Sequence, residues 1–436
     1  MNRTRKDYPI QPVSDWPHRS VAEIAVKVVS GGTPDRANAT YWGGSIPWVT
    51  PGELTHLNDK YLSATSERIT KLGLTNSGAT LLPRDSLLVT TRATLGSVAL
   101  AAMPLATNQG FKSVIFDSAK DPSFFYHVFS RLTPQLVRRA SGTTFLEISG
   151  KDFKQLLVPI PTLPEQRRLA LVLDTIDEAV LSTERLITKL EHLRRGLLSD
   201  LLTRGVTSSR ATPDVETGPR WVPDGWKWRT LTEVASRAPY AIVDGPFGSN
   251  LKSVHYRTAG IPVIQSGFVT SQRFVASDYV YVDHALFQAQ FRSAVRAGDI
   301  VMAKIGATCG ACAALPDGHP VGILAGNSLK ITVDPDCCLR DYLLLVLHRY
   351  FETGELHLIR TETAQPAISL ARLRRLPIRV PPLNEQEAIV AIAQAAELRQ
   401  SEAERELAKL RLLKMGLAED LLSGQVRVPP NIEATA

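Results

Sequence analysis

The sequence predicts an α+β protein built by tandem duplication, in which two globular α+β domains are each followed by a long helix. The two helices are expected to pair as an antiparallel coiled coil. Three observations support this prediction: a repeat at an offset of 220 residues, a helical stripe of apolar side chains in each repeated tail, and short apolar runs separated by glycine-bearing loops in each globular part.

The repeat is clearest at two hexapeptides, PTLPEQ at 161–166 and PPLNEQ at 381–386. Around them, residues 141–206 align with 361–426 without a gap. Earlier parts of the chain match at smaller offsets: 210 for Trp16 with Trp226, and 214 for Asp85 with Asp299. An offset that grows along the chain is typical of two copies of one fold whose loops differ in length.

The repeat and the composition of the segments predict the domain organisation. A polar, turn-rich stretch separates the two copies and is typical of a linker. The predicted boundaries are 1–160 for the first globular domain, 161–205 for the first helix, 206–220 for the linker, 221–380 for the second globular domain, 381–424 for the second helix and 425–436 for a C-terminal tail.

Each repeated tail is predicted to be helical, because its apolar residues recur every three or four positions. A run of about 40 residues would extend roughly 60 Å and would need a partner for its apolar stripe, for which the other copy is the nearest candidate. The stripe comprises Leu169, Leu173, Ile176, Val180, Ile187 and Leu190 in the first copy and Ile389, Ala393, Ala396, Ala403, Leu407 and Leu410 in the second, continued by Leu193, Leu197, Leu201, Leu413, Leu417 and Leu421.

The hexapeptides predict where these helices begin. Thr162 and Glu165 have capping-box spacing, and Pro164 fits a first helical turn. In the second copy, Asn384 is the predicted N-cap, with Glu387 three residues further on.

Apolar runs within the globular parts predict further elements. Strands are expected at 86–90, 261–264 and 300–303, and helices at 134–139 and 340–347.

Length and composition restrict the class of protein. A chain of 436 residues predicts roughly two to four domains, and 44% apolar with 21% charged residues is typical of a folded chain. The N-terminal stretch lacks the apolar segment of a secretion signal, and no run approaches the roughly 18 apolar residues of a membrane helix. A cytoplasmic location is therefore expected.

The positive charge is concentrated in the globular parts. The chain carries a net charge of +7, and Lys/Arg exceed Asp/Glu by 15 to 10 in residues 16–160 and by 17 to 13 in residues 221–380. A basic surface favours a polyanionic partner, of which nucleic acid is the commonest.

The four cysteines do not predict a metal site. Cys309 and Cys312 have C-x-x-C spacing, but the remaining pair, Cys337 and Cys338, is adjacent in sequence and poorly arranged to complete a zinc site. Buried thiols are the preferred interpretation, with no metal ligand assigned.

Three loops in each copy combine glycine with Thr, Ser, Asn and a cation, which suits contact with phosphates and base edges, although plain turn formation also explains such a composition. The loops are SGGTPDR (30–36), TTRATLGS (90–97), TNQGFK (107–112), DGPFGSNLK (244–252), AKIGATCG (303–310) and AGNSLK (325–330). The predicted DNA-binding residues are Thr33, Arg36, Thr91, Arg92, Thr94, Asn108, Gln109, Lys112, Phe247, Ser249, Asn250, Lys252, Lys304, Thr308, Asn327 and Lys330.

The sequence lacks the common catalytic motifs. The sequence has no G-x-x-x-x-G-K-[ST] phosphate loop, no Asn/Asp-Pro-Pro-Tyr of an adenine methyltransferase, no G-x-S-x-G and no zinc-deaminase signature. No catalytic residue is therefore assigned.

Two basic domains, each closed by a P-x-L-x-E-Q or L-P-E-Q helix that ends in K-L-x-x-L-x-x-G-L-x-x-D-L-L, resemble the specificity subunit of Type I restriction-modification enzymes. The phrases GGTPDRANATYWGGSIPWVTPGEL (31–54) and DGPFGSNLK (244–252) also resemble that family's target recognition domains. The resemblance extends from about Trp16 to Val426.

The resemblance implies that each domain reads one half of a split DNA sequence and that the subunit is not itself catalytic. The helices would act as a spacer and as a docking surface for two methyltransferase subunits, with Glu165, Gln166, Glu385 and Gln386 as spacer and docking residues. A motor/endonuclease subunit is also implied. S-adenosylmethionine, ATP and Mg would belong to these partner subunits. Two alternatives remain open: a stand-alone nucleic-acid-modifying enzyme and a coiled-coil scaffold.

Overall fold

The computed structural model describes residues 15–57, 59–92, 94–141, 146–206, 211–213, 221–246, 250–361 and 365–431. The chain divides into two compact units. Unit 1 combines the residues up to Ile187 with those from Ala403 onward, and unit 2 is Thr188–Glu402. Each long helix is therefore shared between the two units.

Unit 1 contains a five-stranded sheet in the order β2-β9-β6-β7-β4, a three-stranded sheet in the order β5-β3-β8 and the antiparallel pair β1-β10. The strands are β1 (His18–Ser20), β2 (Lys27–Ser30), β3 (Trp42–Val49), β4 (Tyr61–Leu62), β5 (Glu67–Ile69), β6 (Leu87–Val89), β7 (Val98–Ala101), β8 (Ala106–Thr107), β9 (Lys112–Ile115) and β10 (Leu157–Pro159).

The helices of unit 1 cover these sheets. They are α1 (Val21–Ile24), α2 (Pro51–Thr55), α3 (Lys71–Thr75), α4 (Pro122–Ser130), α5 (Thr133–Arg139), α6 (Gly150–Lys154) and the first part of α7 (Leu163–Arg204). The main core joins Trp16 and Phe125 to Leu173 of α7. The C-terminal tail adds Val428 to the same core, so residues predicted as a tail are an integral part of unit 1.

Unit 2 repeats this plan with a sheet in the order β14-β21-β18-β19, a second sheet in the order β16-β15-β20-β17 and the pair β13-β22. The strands are β11 (Ala211–Pro213), β12 (Trp221–Pro223), β13 (Lys227–Thr230), β14 (Ile242–Asp244), β15 (Ile261–Ile264), β16 (Tyr281–Val282), β17 (Ala294–Val295), β18 (Ile300–Ala303), β19 (Cys312–Ala314), β20 (Gly322–Leu324), β21 (Ser328–Ile331) and β22 (Pro377–Val380). The helices are α8 (Leu231–Val234), α9 (His284–Ala289), α10 (Arg340–Glu352), α11 (Leu370–Arg374) and α12 (Leu383–Ser423).

The predicted duplication is visible in the connectivity of the strands. In unit 1, β3 pairs with β5 antiparallel and with β8 parallel. In unit 2, β15 pairs with β16 antiparallel and with β20 parallel. The strands and helices predicted at 86–90, 261–264, 300–303, 134–139 and 340–347 are confirmed.

The two long helices pair antiparallel within each unit, as predicted. In unit 1, Asp177 and Glu184 of α7 form ion pairs with Lys414 and Arg411 of α12, both at 2.7 Å, so rising numbers in one helix meet falling numbers in the other. In unit 2, the Nε of Arg194 donates to Oε1 of Gln400 at 3.2 Å. Burial of Leu169, Leu173 and Ile389 confirms the start of each apolar stripe.

Three positions of the stripe depart from the prediction. Leu193 and Leu413, which occupy the same position in the two copies, are largely exposed, and Leu197 is exposed as well. The predicted cap at Asn384 is also wrong, because α12 begins one residue earlier, at Leu383. None of the described helices is both long and apolar enough to cross a membrane.

Candidate nucleic-acid interface

Sheet register brings the three loops of unit 1 to one end of its larger sheet. Ser30, the last residue of β2, lies opposite Lys112, the first residue of β9. Thr90, directly after β6, forms a bridge to Phe111. Because β9 runs antiparallel to both neighbours, the loops after β2 and β6 meet the loop before β9.

Side-chain and backbone bonds then tie these loops together. The Thr33 hydroxyl donates to Oε1 of Gln109 at 2.6 Å, and the buried Thr91 hydroxyl donates to the Gly110 carbonyl at 3.2 Å. Gly31 is required by close approach, since a Cβ there would lie 2.1 Å from the Asn108 carbonyl oxygen. The three loops predicted separately therefore form one surface.

Several predicted base or phosphate contacts in unit 1 have partners within the protein. Arg36 donates two hydrogen bonds to the Glu67 carboxylate, and its guanidinium lies 3.9 Å from the centre of the Trp42 ring. The Asn108 side chain accepts from the Gly110 amide at 2.8 Å, which makes it a turn-forming residue. Arg36 and Asn108 thus shape the loops, which is a different role from the base contact predicted for Asn108.

Arg92 and Gln109 remain exposed at this surface. Arg92 has one distant ion pair, at 3.8 Å, with Glu147, a residue that the sequence did not single out. Thr94 lies in the same loop, and its hydroxyl has no hydrogen-bond partner among the described residues.

Lys112 is buried, although it was predicted to face phosphates. Burial lowers the pKa of its ammonium, and the charge of Glu147 opposes that shift. Contact between a phosphate and this ammonium would require the loop edge to open.

Unit 2 repeats the convergence of loops. Asp244 ends β14 opposite Leu329 of β21, and Ala303 ends β18 opposite Ser328. The Lys304 amide donates to the Asn327 carbonyl at 2.8 Å. As at Gly31, a Cβ on Gly245 would clash with backbone, here at 1.9 Å from the Ala325 carbonyl oxygen.

Two predicted phosphate-binding lysines of unit 2 form buried ion pairs instead. Lys304 lies 2.7 Å from the buried Asp244 carboxylate, and Lys330 lies 3.5 Å from the buried Asp299 carboxylate. Burial lowers the pKa of Lys330, and Asp299 opposes that shift. Because carboxylates already neutralise these ammonium groups, both lysines are better placed to hold the sheet edge than to bind DNA.

The other predicted residues of unit 2 divide into two groups. Asn250, Lys252, Thr308 and Asn327 are exposed and available to a ligand. Phe247 and Ser249 lie outside the described residues.

The repeated Glu-Gln pairs contact their own domains, although docking to a partner was expected of them. Gln166 is buried, accepts from the Asp121 amide at 3.0 Å and donates to the Pro161 carbonyl at 2.9 Å. Gln386 is also buried and makes the same bonds to Leu339 and Pro381, both at 2.8 Å. A fully buried amide is not accessible to a partner subunit.

Each neighbouring glutamate accepts a hydrogen bond from the tryptophan that recurs near the start of its copy. The Trp16 indole donates to Glu165 at 3.1 Å, and the Trp226 indole donates to Glu385 at 2.9 Å. The repeated tryptophan and the repeated hexapeptide are thus parts of one clamp between a globular domain and its helix. The repeat could have indicated this pairing, because Trp16 recurs as Trp226 at an offset of 210 and Glu165 recurs as Glu385 at an offset of 220.

The cysteines are mostly buried, and Cys309 belongs to the loop 303–310. Cys309, Cys312 and Cys338 are buried, and burial raises the pKa of Cys312 and of Cys338 to about 12. A high pKa disfavours the thiolate that a metal would require. Within the part of the chain that the structure describes, no group of three or more His, Cys, Asp or Glu side chains could hold a metal ion.

Arg292 in unit 2 lies in none of the predicted loops and follows no motif. Its guanidinium donates to Asp244 at 2.9 Å and is half exposed. Arg374, at the end of α11, also lies outside the predicted loops, although Lys154 is a cation 220 residues earlier in the matching helix.

Comparison with known proteins identifies the family. The model of the family described as "Type I restriction modification DNA specificity domain" matches twice, at residues 13–192 and 223–409. The two matches fall on the two copies of the repeat.

Similar curated proteins are named as specificity subunits of Type I restriction enzymes. The chain is 27% identical over 255 residues to the Type I restriction enzyme MjaIX specificity subunit of Methanocaldococcus jannaschii, an alignment that covers 58% of this chain and 57% of that relative. It is 22% identical to the MjaVIII specificity subunit of the same organism, over 86% of this chain and 87% of that relative. The chain thus spans little more than half the length of the first of these relatives.

Solved structures share the fold. A chain from a study of complex assembly and conformational transition of the type I R-M system superposes with a TM-score of 0.59 at 18% identity, covering 94% of this chain and 98% of that one. The Type-I restriction-modification system S subunit from M. genitalium gives 0.54 at 15% identity, with 95% and 98% covered. With two family matches that together span most of its length, the chain belongs to the family of Type I restriction-modification DNA specificity domains and carries that domain twice.

Proposed function

We propose that this chain is the DNA-reading subunit of a restriction-modification complex and that each unit reads one half of a bipartite DNA target. The observation that supports this most directly is the duplicated sheet edge, where three glycine-bearing loops converge in both units. Exposed Arg92 and Gln109 in unit 1, and Lys252 and Asn327 in unit 2, supply donors and acceptors for phosphates and base edges there.

The proposed role is recognition without catalysis. Two methyltransferase subunits would modify the DNA, and a motor/endonuclease subunit would cleave it. S-adenosylmethionine, ATP and Mg would be bound by those partners. Such a complex acts on chromosomal DNA and entering DNA, so a cytoplasmic location is expected.

Exchange of one domain tests the bipartite reading. Residues 16–160 would be replaced by the matching segment of a related subunit, and the methylated sequence would be determined by methylome sequencing of the host cell. We expect one half of the methylated target to change while the other half and the gap persist. A change in both halves would contradict separate reading by the two units.

We propose that the paired helices set the gap between the half-sites. Inserting about two turns into one helix, roughly 11 Å by helix rise, should lengthen the unread gap by a few base pairs. The same methylome measurement would detect this. Retained methylation with an unchanged gap would show that the helices do not set the distance between the half-sites.

Exposed leucines on the long helices support partner docking. Leu193 and Leu413 occupy the same position in the two copies, and both are exposed although they belong to the apolar stripe. An exposed apolar side chain that recurs in a duplicated helix suits one docking contact for each methyltransferase subunit. We therefore assign docking to Leu193 and Leu413 in place of the buried Gln166 and Gln386.

Charge substitution tests the docking contacts. Leu193→Asp and Leu413→Asp should each remove one methyltransferase subunit, and the double variant should remove both, as read from the mass of the purified complex. Leu72→Asp is a matched control, because Leu72 lies on α3 and is 58% exposed, as is Leu193. Full assembly of the double variant would place the docking surface elsewhere.

A further inference from the structure

A cleft of about 470 Å³ lies beside β14 in unit 2. Because β14 is an edge strand of its sheet, its outer side is covered by helices and loops instead of another strand. The polar side chains that line the cleft are Thr232, Ser236, Tyr240, Asp244, Arg292 and Arg374.

The charge around this cleft is positive. Asp244 is its one lining carboxylate, and both Lys304 and Arg292 lie within 3 Å of that group, at 2.7 and 2.9 Å. Arg374 adds another cation and holds its place by donating to the Ile242 carbonyl at 2.9 Å. Three cations therefore lie in or beside the cleft against one lining carboxylate, and the net positive charge favours an additional anion.

Each guanidinium is fixed on one side and open on the other. Among the described residues, the guanidinium of Arg292 and that of Arg374 each make one protein hydrogen bond, through Nη2, and their remaining N–H groups have no protein acceptor. The fork of N–H donors on a guanidinium matches the oxygens of a phosphate. The two residues are thus positioned before any ligand arrives.

Tyr240 adds an independent observation. Its backbone is in the left-handed region at φ 64°, which is unusual for an aromatic residue, and its side chain is 55% exposed at the cleft. Strained residues of this kind persist where the surrounding structure holds them, often at ligand sites. Its phenol has no hydrogen-bond partner among the described residues, so it is a further donor for an anionic oxygen.

We propose that this cleft binds a phosphate group of the DNA backbone, beside the half-site that unit 2 reads. The inference rests on the proposed function, since it assumes that unit 2 contacts DNA. Asp244 connects the cleft to the recognition surface, because it also begins the loop 244–252. In unit 1, Lys154 supplies an exposed cation at the position that matches Arg374, 220 residues earlier.

The first test removes the guanidinium groups in the full chain, with the methyltransferase partner bound. Arg292→Gln leaves Asp244 its ion pair with Lys304, and Arg374→Gln changes an exposed side chain, so both variants should fold. Each should lower the slope of log affinity against log salt concentration by about one, with base preference unchanged. Arg340→Gln is the matched control, since Arg340 pairs with Asp317 and begins α10, away from the cleft.

The second test identifies the phosphate. Cognate duplexes would carry one neutral methylphosphonate at successive positions flanking the half-site of unit 2. We expect one or two positions to weaken binding of the unchanged protein while leaving the Arg292→Gln/Arg374→Gln double variant unaffected. Binding of inorganic phosphate, followed by NMR, is the second arm.

The outcomes separate the cleft from the wider proposal. If the unchanged protein shows no preference for any sequence, the proposed function fails. Sequence-specific binding with an unaltered salt slope in both variants would refute only the phosphate site. Loss of base preference at one position would also refute it, because Arg292 would then read a base. If inorganic phosphate binds tightly but no methylphosphonate position weakens DNA binding, the ligand of the cleft is a free anion, which would contradict the proposal.

Discussion

The two units hold the same three loops by different chemistry. At the offset of 214, Ser30 and Thr90 of unit 1 correspond to Asp244 and Lys304 of unit 2. The buried Thr90 hydroxyl donates to the Thr94 carbonyl, whereas Asp244 and Lys304 form a buried ion pair. A sheet edge thus requires satisfied polar groups, and hydroxyls or a charge pair can supply them. The two arrangements differ in the cost of losing one partner. Loss of one member of the ion pair leaves an uncompensated buried charge, whereas loss of the hydroxyl leaves only an unsatisfied neutral group.

The units also differ where each globular domain meets its helix. In unit 1, Asp174 of α7 bonds to His127, Lys60 and Ser123, each at 2.7 Å. At the matching position, 220 residues later, unit 2 has Gln394. A buried ion pair therefore holds the sheet edge in unit 2, and a carboxylate network holds this helix contact in unit 1.

The largest expected effect comes from the ion pair at the loop edge. Asp244→Asn removes the carboxylate beside the buried Lys304, so we expect unit 2 to lose about 3–5 kcal/mol of unfolding free energy. Thr90→Val, the counterpart in unit 1, should cost about 1 kcal/mol. Hydrogen exchange of β14 and β21, compared with β2 and β9, measures the two units separately. Equal losses of unfolding free energy in Asp244→Asn and Thr90→Val would contradict the difference between the two sheet edges.

The close-approach glycines offer the next test. Gly31→Ala and Gly245→Ala each force a Cβ against backbone, so each should cost up to about 3 kcal/mol and distort only its own loop edge. Binding to duplexes substituted in one half-site should show that each variant weakens a different half. Gly52→Ala is the control, because a Cβ there meets nothing within 4 Å. Loss of both half-sites in either variant would indicate that the units do not read independently.

The polar network of unit 1 predicts a pH dependence. Burial raises the pKa of Asp174, but the bonds from His127, Lys60 and Ser123 outweigh it, and the net pKa lies below the ordinary value of 3.8. A lowered folded pKa stabilises unit 1 at neutral pH, and this stabilisation is lost as the pH falls through it. Asp174→Asn should cost about 1–2 kcal/mol at neutral pH.

The difference between the unchanged protein and Asp174→Asn should shrink below pH 3.8. Urea unfolding of both proteins across this range, with exchange of α4 as the local probe, measures it. A difference that stays constant with pH would mean that the carboxylate charge does not stabilise this contact.

The smallest expected effect concerns the clamps at the helix starts. Glu165 accepts from the Arg427 guanidinium at 2.6 Å, whereas Glu385 accepts from the Val206 amide at 3.2 Å. Arg427→Gln removes a partly exposed ion pair and its stacking on Trp16, so we expect a loss of about 0.2–1 kcal/mol in unit 1 alone. Thermal unfolding in low and high salt would detect it. If Arg427→Gln lost more unfolding free energy than Asp174→Asn, the C-terminal tail would contribute more to stability than one ion pair.

Composition located segments better than it distinguished the surroundings of individual side chains. The loops at 107–112 and 325–330 were found by composition, and register brought them to equivalent edges. Within those loops, composition did not separate an exposed Gln109 from an Asn108 whose side chain closes a turn. Lys304 and Lys330 looked like phosphate ligands because their carboxylate partners lie 60 and 31 residues earlier in the chain.

The sequence by itself determined the duplication, the two long helices and the positions of several strands. These features depend on local periodicity and on a repeat that is visible in the order of the residues. Only the tertiary structure decided that Gln166 and Gln386 are buried against their own domains, that Leu193 and Leu413 are exposed, and that Arg292, Arg374 and Tyr240 line one cleft. Burial and the pairing of charges depend on contacts between residues far apart in sequence. Strand register and helix packing set those contacts, and a periodic pattern of apolar residues does not specify them.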